Sequence, residues 1–204
     1  MPIIYRTGTK LMMQTNQDGK SKITGVVLAG GQSRRFGRDK GLYSYKGKPL
    51  VLRAADIIRP LCDEIRISTN NPEAYTQFGL PLIADIFQGC GPLGGIHSGL
   101  THARHDTVLF IACDTPNVPV SIYHFLLNNM HSHNAIMPAH GSYIETLCAV
   151  YHKRCLPKIE ESLKNRIYKI LDAHNEMGVR YVPVEKEDFY SPAIFHNINY
   201  QNDA

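Results

Sequence analysis

No CxxC pair occurs among the five cysteines, Cys62, Cys90, Cys113, Cys148 and Cys155. That spacing in a chain of this length indicates neither a disulfide scaffold nor a paired-cysteine zinc site, and the thiols read as small reduced hydrophobes. No run of about 18 apolar residues is present, so no membrane-spanning helix is expected. Residues 1–22 contain no apolar stretch of signal-peptide length, which argues against secretion and for a cytoplasmic protein. The ten histidines include the pairs His102/His105 and His131/His133, but no Cys or carboxylate completes either at zinc-finger spacing. No nucleophile elbow announces a Ser-His-Asp hydrolase. Internal repeats and low-complexity tracts are absent as well.

What is there suits one globular domain. The 204 residues are 43% hydrophobic and 20% charged, enough apolar material for a sizeable core and too little length for two full domains. The net charge of +4 is unevenly distributed. Residues 34–48 carry Arg34, Arg35, Arg38, Lys40, Lys46 and Lys48 against the single acid Asp39. A nucleic-acid interface would spread its cations over a larger face, whereas one compact basic cluster suits a small polyphosphate.

Residues 1–22 lack hydrophobic periodicity and read as a mobile leader; residues 23–204 read as the folded domain. Apolar, β-rich runs predict strands at Ile23–Ala29, Glu64–Thr69, Leu82–Ala84, Thr107–Cys113, Ala135–Pro138, Glu145–Tyr151 and Val179–Val184. Helices are predicted at Leu50–Leu61, with Pro49 at its first position, and at Pro72–Phe78, Ile96–Ala103, Val118–Met130, Leu156–Leu163 and Ile167–Ala173. Gly30–Lys40 and Gly89–Gly95 are expected to be glycine loops. Strands alternating with helices specify an α/β fold: one three-layer α/β/α domain around a mostly parallel, Rossmann-like sheet. Such sheets bind ligands beyond the carboxyl ends of their strands. The arginine loop, Asn70, Asp85 and Asp114 should therefore share one crevice.

The most informative segment runs Leu28-Ala29-Gly30-Gly31-Gln32-Ser33-Arg34-Arg35-Phe36-Gly37-Arg38-Asp39-Lys40. Adjacent glycines after a buried strand allow a tight turn and bring backbone N–H groups close to a ligand. Arg34, Arg35 and Lys40 add cations, and donors plus cations are what a triphosphate needs. The dinucleotide pattern G-x-G-x-x-G does not fit this string, and Gly47-Lys48-Pro49 does not complete a P-loop. Asp114 follows the apolar strand Thr107–Cys113 and precedes Thr115-Pro116. Two jobs are open to it: holding Mg²⁺ beside a triphosphate, or closing the turn before the proline. Asp85 follows Leu82–Ala84 and by itself reads as a turn carboxylate. The Gly91–Gly95 amides could meet a ribose or phosphate, or form a simple loop before a helix.

The thirteen-residue string, with Gly47-Lys48-Pro49-Leu50 after it, resembles the signature of the nucleotidyltransferases that act on molybdenum cofactor, and among them the guanylyltransferase branch. The resemblance continues through Ser68-Thr69-Asn70, Asp85, Gly91-Pro92-Leu93-Gly94-Gly95-Ile96, Cys113-Asp114-Thr115-Pro116 and Phe195-His196-Asn197-Ile198-Asn199, in family order. It implies a nucleotide-diphospho-sugar-transferase type of fold and transfer of GMP from GTP to a molybdopterin cofactor, with release of pyrophosphate. It also implies Mg²⁺ on Asp114, and Arg34 and Lys40 acting on the triphosphate. Leu28, Ala29, Gly30, Gly31, Asp85 and either Ser68 or Asn70 would contact the nucleotide, with Asn197 and Asn199 near the metal. Glycine at position 30 favours the guanylyl over the cytidylyl branch. Cofactor-delivery and molybdoenzyme-chaperone proteins would be transient partners of a monomer, with no nucleic acid and no membrane involved. Tyr200 stands where the family usually has threonine, and Thr146 where it usually has proline. The competing readings are a relative using CTP or activating a sugar or alcohol, and a non-catalytic nucleotide-binding or cofactor-chaperone protein.

Overall fold

The structure, a computed structural model, describes residues 22–30, 39–174 and 177–198. Its centre is a sheet in the order β10-β7-β9-β6-β1-β4-β5. In chain order these strands are β1 (Ile23–Leu28), β4 (Glu64–Ser68), β5 (Leu82–Ile83), β6 (Thr107–Ala112), β7 (Ala135–His140), β9 (Ala149–His152) and β10 (Val179–Pro183). Neighbours pair in parallel except at β9, which runs antiparallel to both β6 and β7. A short strand β8 (Tyr143–Ile144) pairs with the end of β7, and a small hairpin joins β2 (Ser44–Tyr45) to β3 (Lys48–Pro49).

Helices cover both faces. Successive residues of a strand point to opposite sides, and the core divides accordingly. Val27, Leu109 and Ile111 pack with α1 (Leu50–Ile58) and α4 (Val120–Asn129). Val26, Val108 and Phe110 pack with α3 (Gly91–His102) and α5 (Leu156–Lys164). Because β1 and β6 are buried on both faces, they read as continuous apolar runs rather than alternating ones. Two short helices, α2 (Pro72–Tyr75) and α6 (Ile170–Ala173), complete the layers. Among the described residues no helix is long and apolar enough to cross a membrane.

The three-layer α/β/α expectation therefore holds, with differences at element ends. Gly91–Gly95 is not loop but the first turns of α3. Pro49 is the residue before α1, already paired with Ser44, rather than its first helical residue. The strand expected at Glu145–Tyr151 begins only at Ala149, because Glu145 to Cys148 form a turn closed by the Cys148 N–H on the Glu145 carbonyl at 3.3 Å. The helix expected from Ile167 begins at Ile170, after Arg166 adopts a positive φ of 61°.

Candidate functional site

Four strand ends meet at one edge of the sheet. The Ala29 N–H donates to the Ser68 carbonyl at 2.8 Å, and the Cys113 N–H donates to the Leu28 carbonyl at 3.1 Å. These bonds extend the β4–β1–β6 pairing one residue past the strands and keep the exits aligned. Leu28 is half-buried, Ala29 is buried and Gly30 is exposed. A Cβ on Gly30 would stand at ordinary contact distance, 3.7 Å, from the Asn70 side-chain nitrogen, so Gly30 and Asn70 are neighbours on this edge.

Asn70 and Asp85 form a reciprocal pair. The Asn70 amide donates to Asp85 Oδ2 at 2.8 Å, and the Asp85 N–H donates to Asn70 Oδ1 at 3.1 Å. The pair locks the β4 exit to the β5 exit. Ser68 is only 2% exposed, and its Oγ lies 3.3 Å from where a Cβ on Gly95 would stand. Of these two candidates, Asn70 is on the accessible edge and Ser68 is underneath it. The same packing accounts for the glycines of α3: a Cβ on Gly94 would sit 2.7 Å from the Phe87 carbonyl oxygen. Gly94 and Gly95 let the start of α3 lie this close to the β5 exit and to Ser68.

The second pair is Lys40 and Asp114. Lys40 Nζ donates to Asp114 Oδ2 at 3.0 Å, with the two side chains 16% and 24% exposed. Asp114 does not close the turn before Pro116 with its carboxylate. Thr115 does so, donating its hydroxyl at 3.1 Å and its N–H at 3.5 Å to the Ala112 carbonyl. The Asp114 carbonyl in turn accepts the Ile198 N–H at 2.9 Å, which brings the segment containing Asn197 to this edge; Asn197 itself is exposed. Behind Asp114, burial and the neighbouring carboxylate push the Cys113 thiol well above its usual range, so it stays protonated.

What holds Lys40 in place was not legible in the sequence. Lys40 sits in a 3-10 turn, Lys40–Leu42, whose preceding residue Asp39 accepts the Gly41 N–H at 3.1 Å. The same Asp39 oxygen accepts the hydroxyl of fully buried Tyr75 at 2.5 Å. A Cβ on Gly41 would overlap that hydroxyl, so only glycine lets the turn approach Tyr75. Burial, then the Asp39 carboxylate, hold the Tyr75 phenol far above its usual range, so it remains a donor. The signal available was an unexplained Asp before the lysine and a tyrosine ending a short helix.

Gly31, Arg34, Asn199 and residues 1–21 of the expected leader lie outside the described residues. Among the described residues no three His, Cys, Asp or Glu side chains cluster as a metal cage. A magnesium ion does not need one: it commonly takes one or two carboxylates and completes its shell with water and phosphate oxygens. Asp114 supplies one such carboxylate, already facing a cation, so the residues present fit that kind of site.

The family model of the MobA-like NTP transferase domain matches residues 25–177. A molybdenum cofactor guanylyltransferase of Vibrio vulnificus is 37% identical over 178 residues, 85% of this chain and 89% of that protein. One from Desulfosudis oleivorans is 34% identical over 181 residues, 87% of this chain and 90% of its own. Among solved structures, the molybdopterin-guanine dinucleotide biosynthesis protein A of Archaeoglobus fulgidus superimposes with a TM-score of 0.75 at 26% identity, covering 88% of this chain and 94% of that one.

Proposed function

Since the chain belongs to the family of MobA-like NTP transferase domains, we propose that it transfers GMP from GTP to a molybdopterin cofactor and releases pyrophosphate. The observation that carries this reading is the convergence of Gly30, the Asn70–Asp85 pair and the Lys40–Asp114 pair on one edge of the sheet. Leu28, Ala29, Gly30 and Gly31 supply backbone groups to the nucleotide. Asn70 and Asp85 supply side-chain groups beside them. Arg34 and Lys40 neutralise the triphosphate.

The chemistry asks little of acids and bases. A phosphate monoester has a second pKa of about 6, so the acceptor oxygen is already ionised at neutral pH. No protein nucleophile is needed. The protein must bring two anions together and offset the charge that builds on the α-phosphoryl group. Magnesium held by Asp114 supplies part of that neutralisation when bound. Without the nucleotide, the ammonium of Lys40 balances the Asp114 carboxylate. On binding, Lys40 exchanges its carboxylate partner for a phosphate oxygen. This exchange keeps the pair neutral in the free protein and provides a mobile cation when the triphosphate arrives.

GTP is the donor this reading assigns, because Gly30 leaves room for a purine and the relatives are molybdenum cofactor guanylyltransferases. A site that hydrogen-bonds guanine leaves polar groups unpaired with the wrong base, at about 1–3 kcal/mol each. The test is pyrophosphate release with molybdopterin and GTP, CTP, ATP or UTP in turn. GTP should give the highest kcat/KM. A higher value with CTP would move the chain to the cytidylyl branch, and no release with any nucleotide would make it a binding protein.

A further inference from the structure

Asp85 lies in the connection between β5 and α3, outside any regular element. A side chain there aims reliably only if its backbone is held. Two rotations set where the Cα–Cβ bond of a residue points: φ turns the peptide plane before it, and ψ turns the plane after it. Each plane carries one N–H, the residue's own and that of its successor. At Asp85 both are taken by side chains. The Asp85 N–H donates to Asn70 Oδ1 at 3.1 Å. The Ile86 N–H donates to Ser98 Oγ at 2.8 Å. One plane is thus anchored to the β4 exit and the other to α3, which leaves the backbone at Asp85 no soft rotation. The Asn70 amide then holds the carboxylate through Oδ2, while Oδ1 lies 3.7 Å from where a Cβ on Gly95 would stand.

Helix α3 puts Ser98 in position for this bond. Ser98 follows Gly94 by four residues and Gly95 by three, so the three share one helix face. That face lies against the β5–α3 connection, with the Phe87 carbonyl on Gly94 and the Asp85 carboxyl beside both glycines. Ser98 is fully buried there. On the neighbouring side of the helix, the Phe87 ring meets His97 edge-on, with centroids 4.9 Å apart and planes at 90°. Ile86, between Asp85 and Phe87, is 50% exposed. Burial of its side chain therefore does little to hold it, and the bond from its N–H to Ser98 carries that task. One turn further on, the Thr101 hydroxyl is spent within the helix, donating to the His97 carbonyl at 2.9 Å. It provides a control of the same chemistry on the same helix.

We propose that Ser98 is a positioning residue for nucleotide binding: its hydroxyl fixes the peptide plane after Asp85 and so keeps the carboxylate aimed at the nucleotide. The proposal rests on the nucleotidyl-transfer reading and adds to it a residue buried beneath the site. In Ser98→Ala the Ile86 N–H can turn to water, so the fold survives while the connection samples other conformations. If the binding-competent one falls to about a fifth of the population, apparent nucleotide affinity falls about fivefold. The GTP KM of the full chain should therefore rise at least about fivefold in Ser98→Ala, with kcat and the acceptor KM within about twofold of wild type. Thr101→Ala should leave all three unchanged. In parallel, GTP and CTP are titrated calorimetrically without acceptor, and Ser98→Ala should bind whichever nucleotide wild type binds with the same fivefold loss. Unchanged GTP KM per folded Ser98→Ala molecule overturns the proposal, as does a fall confined to kcat. An equal rise in Thr101→Ala also overturns it, by tracing the effect to the helix as a whole. If wild type binds a nucleotide but releases no pyrophosphate, the transfer reading alone fails and the titration decides Ser98: equal affinity of wild type and Ser98→Ala overturns its role, and so does binding of neither nucleotide by wild type.

Discussion

Tyr75→Phe isolates the pin beneath Lys40. The substitution keeps the ring, which packs edge-on against Phe78 at 5.9 Å, and removes only the hydroxyl. Asp39 Oδ1 then loses one of its two bonds, the 2.5 Å contact from Tyr75, and keeps the 3.1 Å contact from the Gly41 N–H. A hydrogen bond to a charged group is worth about 1.5–3 kcal/mol. At about 2–4 °C per kcal/mol for a chain of this size, the melting temperature should fall by roughly 3–12 °C. The catalytic effect should exceed what unfolding explains. Once the turn is loosened, the Lys40 ammonium spends less time where the triphosphate needs it, and turnover per folded molecule should fall about tenfold, roughly 1.4 kcal/mol of barrier. The control is epistasis. If the hydroxyl works through Lys40, Tyr75→Phe should add almost nothing to Lys40→Met. The assay is thermal unfolding and pyrophosphate release on one preparation of each variant. Unchanged turnover per folded Tyr75→Phe molecule, or a full tenfold loss on top of Lys40→Met, would refute the reasoning.

Asp114→Asn should keep the turn, because Thr115 closes it, and should lower turnover at least about a hundredfold, about 2.7 kcal/mol, with partial recovery in excess Mg²⁺ or Mn²⁺; titrating the metal in steady-state kinetics checks this. His174 lies buried between the hydroxyls of Tyr151, at 3.1 Å, and Tyr181, at 3.0 Å, and burial holds its imidazole down from 6.5 to about 4. Its depressed value means the unfolded chain takes up the proton first, so stability should be complete above about pH 6.5 and decline as the pH falls toward 4. Urea unfolding across that range should show the decline, and it should be shallower in His174→Gln. Removing residues 1–22 should leave unfolding and turnover nearly unchanged, which differential scanning and pyrophosphate release can verify.

Much of this architecture is visible before any coordinates. Val26-Val27 and Val108 to Ile111 are apolar on both faces, and only a strand covered by helices on both sides tolerates that. With the strands ordered in parallel, Asp85 and Asp114 had to fall on one edge. The misreadings share a cause: tertiary contact overriding local signal. Gly91 to Gly95 look like loop by composition, yet they form the first turns of α3, where Gly94 and Gly95 pack too closely against Phe87, Leu28 and Ser68 to carry a Cβ without displacing a neighbour. The hairpin of Ser44–Tyr45 and Lys48–Pro49 is too short for periodicity, although Lys46 and Gly47, at φ of 49° and 79°, mark the positive-φ turn. The Tyr75–Asp39 bond joins residues 36 apart on different elements, and the His140–Phe195 stack spans more of the chain still. Such pairings follow from the packing of finished elements, not from any local pattern.

The central claim is nucleotidyl transfer rather than hydrolysis or phosphoryl transfer, and position-specific labelling addresses it directly. With molybdopterin, Mg²⁺ and GTP labelled in the α-phosphate, the label should appear in the pterin product. With GTP labelled in the γ-phosphate, it should appear in pyrophosphate, in equal amount. Label from the γ-position in the pterin product, or α-label recovered only as free GMP or GDP, would contradict the account.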